Sequence, residues 1–179
     1  MGAIHSTSPV LLLIAASSRY SEALAWGLAR AEQEYGKAQA VSDAFAFAET
    51  DYYTATMGGD LLKQFWAFGM IDPGALAAIK LQTNDWEAEY AAFARHPEPR
   101  PLNLDPGYLT PAKLVLASTK DHAHRIYLGE GIYAEVTLSF RGRSWQSLPW
   151  TYPDYQRGDY QQFFTICREL ILQRAKGGR

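Results

Sequence analysis

The sequence predicts an α+β fold: a two-layer sandwich whose mixed sheet of five or six strands begins β-α-β and ends in an antiparallel hairpin plus a C-terminal helix. Three observations predict it. Residues Val10–Ala16 are continuously aliphatic and lead through Ser17-Ser18 into a helical repeat. Arg125–Leu128 and Ile132–Phe140 flank Gly129-Glu130-Gly131 as the two arms of a hairpin. From about Asp159 apolar residues recur at helical spacing.

The elements follow in order. Val10–Ala16 reads as a buried strand, too short to span a bilayer and preceded by no Lys or Arg that would start a signal peptide. Leu24, Leu28, Ala31 and Tyr35 share one helical face that begins at Ser21 and stops at Gly36. Val41–Phe47 alternates and is expected to be a second strand beside the first, with Asp43 on its apolar side. Leu61, Leu62, Phe65, Trp66 and Phe68 are expected in a short aromatic helix after Gly58-Gly59.

Asp72-Pro73 caps a longer helix with an apolar stripe of Ile79, Trp86, Tyr90 and Phe93 and a polar stripe of Lys80, Thr83, Asn84 and Glu87. The prolines of His96–Pro101 end it. Asn103–Tyr108 is expected to be a strand end and a tight turn, and Thr110-Pro111 the start of a short helix through Leu116. A further strand is expected near Trp145–Leu148. The final helix turns Tyr160, Phe163, Phe164, Cys167, Leu170 and Ile171 inward.

The chain has 179 residues, 47% hydrophobic and 20% charged, enough for an ordinary core; it is expected to be one domain over 1–179 with a disordered tail from about 176. A net charge of −2 gives no general pull toward nucleic acid or anionic lipid. The single cysteine, Cys167, forms no internal disulfide and no zinc-ligand pattern, so a reducing, cytoplasmic location without a membrane partner is expected.

Several segments resemble the bacterial family catalogued as domain of unknown function DUF4416. They are Thr50–Tyr53 with Met57-Gly58, Ile79–Asn84, Asn103–Thr110, Lys113–Ala117, His124–Gly129 with Gly131–Leu138, and Pro149–Tyr155. The resemblance runs over most of the chain. It implies an uncharacterised bacterial protein and brings no agreed activity, cofactor or catalytic residues. Some members are labelled GTP-binding, a label that calls for a glycine-rich turn ending in Gly-Lys-Ser/Thr at a helix start. No such segment is present, and Thr119-Lys120-Asp121 lacks the asparagine and spacing of a guanine-reading motif.

A three-residue loop at Gly129–Gly131 pairs Leu128 with Ile132, Tyr127 with Tyr133, Ile126 with Ala134 and Arg125 with Glu135. Ile132, Ala134, Val136, Leu138 and Phe140 then face the core. Tyr127, Tyr133, Arg125, Glu135 and Thr137 share a polar face fed by Lys120, Asp121 and His122. On this face Arg125 can hold a phosphate or carboxylate, Glu135 can act as a base or metal ligand, and Glu135 and His122 are the candidate catalytic residues. The plainer reading is a cross-strand ion pair on a solvated sheet. Lys80, Asn84 and Asp51 are further ligand candidates. His122 and His124 lack a third ligand, so no metal site is assigned, and no cofactor fingerprint is present.

These features point to a protein that binds or acts on a small anionic molecule, a phosphorylated one among them. The alternatives are an RNA-binding module, with tyrosines stacking bases and Lys120, Arg125, Arg141 and Arg143 on phosphates, and a protein-interaction domain without catalysis. Reaction type and oligomeric state are not written in the sequence.

Overall fold

The structure is a computed structural model that describes residues 2–3, 6–49 and 54–177. Its centre is β1 (Val10–Ser18), in which all nine residues are buried. Leu11, Leu13 and Ala15 pack on one side of the sheet, and Leu12, Ile14 and Ala16 on the other. A strand without polar alternation needs cover on both faces, and it has it. Helices α1 (Ser21–Tyr35) and α3 (Leu76–Ala94) cover the even-numbered side, while α4 (Gly158–Gly177) covers the odd-numbered side. The expected two layers are therefore completed by a third.

The sheet has nine strands, more than expected, and every pairing in it is antiparallel rather than mixed. Besides β1 they are β2 (Ala40–Val41), β3 (Phe45–Phe47), β4 (Leu61–Ile71), β5 (Asn103–Leu109), β6 (Lys113–Ser118), β7 (Ile126–Gly129), β8 (Ile132–Arg141) and β9 (Ser144–Ser147). The order is β2-β4-β1-β5-β6-β8-β7, with β3 also on β4 and β9 on β8. One further helical turn, α2, spans Thr54–Met57.

Several local expectations are corrected. The aromatic stretch Leu61–Phe68 is strand, not helix: Phe65 and Ala67 enter one core and Trp66 and Phe68 the other, a period of two that burial on both faces conceals. Residues 41–47 form two short strands, both paired with β4 and not with β1. Asn103–Tyr108 is not a turn but part of β5, and Thr110-Pro111 begins a tight connection into β6, where a short helix was expected. The polar stripe of α3 is not solvated, since Lys80, Thr83 and Glu87 are all buried.

The hairpin holds, with a shift. Tyr127 pairs with Tyr133 and Ile126 with Ala134, but Gly129 rather than Leu128 opposes Ile132. A second irregularity matters more. Leu114 pairs with Leu138 while Val115 pairs with Val136, which leaves Thr137 as an extra residue in β8. The bulge reverses the facing: Ile132, Ala134 and Val136 pack toward α3, whereas Leu138 and Phe140 join the α4 side, so they do not share the single core face expected of them.

One irregularity creates space. β5 pairs with β1 along its whole length, from Asn103 to Leu109, but with β6 only at Gly107, Tyr108 and Leu109. Pairing stops beside Pro106, which has no N–H to donate. At Gly107 the strands are tight enough that a Cβ would lie 2.2 Å from the Val115 carbonyl oxygen. Beyond it they diverge.

Candidate functional site

The gap between diverging β5 and β6 opens into a cavity of about 370 Å3. Its walls come from elements far apart in sequence: Lys63 of β4, Lys80 and Asn84 of α3, Asn103 and Asp105 of β5, residues 116–120 at the end of β6, Glu135 of β8, and Tyr152–Tyr155 before α4.

Lys63 occupies an alternating position of β4 on the α4 side and is almost wholly buried. Its Nζ donates to Asp154 Oδ2 at 2.6 Å and lies 4.5 Å from the centre of the Phe47 ring and 4.7 Å from that of Tyr155. A buried ammonium needs such compensation, because desolvation otherwise costs several kcal/mol. Lys80 approaches from the opposite side of the sheet, donating to the Leu104 carbonyl at 2.8 Å and to Asp105 Oδ1 at 3.2 Å. Asn103 Nδ2 donates to Asp105 Oδ2 at 2.6 Å.

Two neighbouring carboxyls respond oppositely to this setting. Burial pushes the Asp105 carboxyl up, but Lys80, Lys63, the Asn103 hydrogen bond and Arg100 outweigh it and hold the group below its ordinary range. At Glu87 burial wins over Lys80 and Arg100, and the carboxyl is raised. Glu87 fixes the rim by accepting from the Leu104 N–H at 2.7 Å and from Arg100 Nη2 at 2.8 Å. The potential at Asp105 is thus dominated by cations.

The opposite wall is the Glu135 network. Glu135 Oε2 accepts from Arg125 Nε at 2.8 Å and lies 2.9 Å from His124 Nε2, while Oε1 accepts from Thr137 Oγ1 at 3.3 Å. Arg125 further donates to Ser118 Oγ at 2.8 Å, to the Lys120 carbonyl at 2.9 Å and to the Tyr152 hydroxyl at 2.5 Å. Its side chain is only 3% exposed. Burial, and then Glu135, push the Tyr152 hydroxyl up to about 12, so it remains a neutral phenol at physiological pH. His124 stacks between His122 at 5.9 Å and Trp150 at 5.1 Å.

Of the residues singled out in the sequence, Glu135, Lys80, Asn84 and Lys120 line the cavity. Arg125 and Thr137 stand behind Glu135 as its partners. Tyr127 and Tyr133 pack on each other at 5.2 Å, away from the cavity lining. Asp121 and His122 are exposed and do not line it; His124, not His122, meets Glu135. Asp51 lies outside the described residues. Sequence reasoning missed Lys63 and Asp154. A lysine on the inward parity of an apolar strand was the signal available for the first. Among the described residues no three His, Cys, Asp or Glu side chains are grouped to hold a metal, and no helix is long and apolar enough to cross a membrane.

A family model described as a domain of unknown function, DUF4416, matches residues 8–170. The chain belongs to this family. All the cavity-lining residues named above fall within the matched DUF4416 span, as do β1, the splayed β5 and the hairpin. No curated protein and no solved structure matches the chain.

Proposed function

We propose that this DUF4416 protein binds a small anionic molecule in the cavity between β5 and β6. The observation that carries the reading is the arrival of Lys63, Lys80 and Lys120 at one cavity from three separate elements, two of them buried. Buried lysines are costly, and a cavity that brings two of them together with a third, exposed lysine and carboxamide side chains is suited to an anion. The volume of about 370 Å3 fits a metabolite-sized ligand. Arg125 supports the reading from behind, since its guanidinium fixes Glu135, Tyr152 and the Lys120 backbone. For the same reason it is not available on a sheet face to an RNA phosphate.

The test is a thermal-shift and calorimetric titration with inorganic phosphate, phosphate monoesters and small carboxylates. Stabilisation by one of these anions is expected, weakened about tenfold by Lys120→Met. Lys120 is exposed in a loop, so this variant should fold as the parent does. No shift with any anion would overturn the reading.

A further inference from the structure

The cavity lining is not that of a bare phosphate site. Alongside its lysines stand the carboxylates of Asp105, Glu135 and Asp154 and the carboxamides of Asn84 and Asn103. Carboxylates accept hydrogen bonds and repel anions; a ligand that lies against them must present donors there while placing its charge near the lysines. Some of this capacity is unused within the protein. Among the described residues, the Asn84 side chain and Asp154 Oδ1 make no hydrogen bond, although Asp154 is 4% exposed. A buried carboxylate oxygen left without a donor is costly, and a ligand hydroxyl can supply that donor.

The aromatic side chains narrow the ligand further. Base recognition would need an open ring face in the wall. Lys63 Nζ already sits over both Phe47 and Tyr155, and Phe164 stacks on Tyr155 at 5.9 Å with the rings 14° apart. Those two rings form a cage for Lys63, and the third ring of the lining, Tyr152, is tied by its hydroxyl to Arg125.

We infer that the ligand is a polyhydroxylated anion without a nucleobase, a sugar phosphate or sugar acid, whose hydroxyls are met by Asn84 and Asp154. This rests on the anion reading and adds the hydroxyl requirement to it. The site resembles in its chemistry a polyol-binding surface with one cationic region.

Isothermal calorimetry with glucose 6-phosphate, gluconate, inorganic phosphate and AMP tests it. Glucose 6-phosphate or gluconate should bind at least about tenfold tighter than both inorganic phosphate and AMP, because hydroxyl-matched sites reject analogues that lack the hydroxyls. Preference between the first two identifies the anionic group as phosphate or carboxylate. Asn84→Ala should shrink the margin over inorganic phosphate. Equal affinity for inorganic phosphate and glucose 6-phosphate would overturn the inference and leave the anion reading standing, and so would tighter binding of AMP. Failure of all four to bind would remove both.

Discussion

The two sides of β5 meet opposite packing problems. Toward β1 the strand pairs at every residue from Asn103 to Leu109, beside a neighbour whose nine residues are all buried. Toward β6 it pairs at three residues, and the space beyond is lined by ion-paired lysines and carboxylates. Apolar burial supplies stability in the first region, roughly 1.5–3 kcal/mol for each large side chain. In the second, desolvation offsets most of what the ion pairs contribute. A fold that keeps charges inside a gap of its own sheet gives up stability there, and the adjacent core is what makes that tolerable.

The largest expected effect lies on the apolar side. Phe65 is fully buried against Tyr155, Tyr160, Phe163 and Phe164, and Phe65→Ala should lower the unfolding free energy in urea by about 4 kcal/mol. Lys63→Met should cost about 3 kcal/mol by stranding Asp154, and the double variant Lys63→Met/Asp154→Leu should recover most of that loss. Recovery would mark the pair as costly to keep; a double variant as unstable as the single one would put Lys63 among the stabilising residues and erase the contrast.

Gly107→Ala should cost about 2 kcal/mol, because the new methyl group meets the Val115 carbonyl where β5 and β6 are still joined. An unchanged denaturation midpoint would mean that this junction is pliable. The smallest effect concerns pH. The Asp105 carboxyl is held below its ordinary value of 3.8, so its stabilisation is complete above that pH and is lost as pH falls through the depressed folded value. Glu87, raised above 4.5, works in the opposite sense and costs stability as pH rises through its folded value. Asp105→Asn should therefore flatten the acid side of a melting-temperature profile, and Glu87→Gln should flatten the rise in cost just above 4.5.

Elements with one clear period were legible in the sequence. The aliphatic β1, the amphipathic α1 and α4, the glycine-turn hairpin and β9 stand where periodicity placed them. The helix α3 was legible as a helix, but the burial of its polar stripe was not, and neither was the strand β4. In β4 and along α3, polar and apolar stripes are both inside, so neither a period of two nor a solvated face is visible. Asp105-Pro106-Gly107 has the composition of a turn, yet in the sheet its proline ends a ladder and its glycine admits a close neighbour. The site was half legible for a related reason. Glu135, Lys80, Asn84 and Lys120 stood out as polar residues on recognisable elements. Lys63 and Asp154 gain meaning only when β4 and the segment before α4 meet across 91 positions of sequence.

The most direct test of the central claim is amide hydrogen exchange with and without saturating inorganic phosphate. Slower exchange is expected at both lips of the gap, residues 103–105 and 117–120, with β1 unchanged. Protection confined to the β7–β8 hairpin, or spread evenly over the sheet, would contradict it.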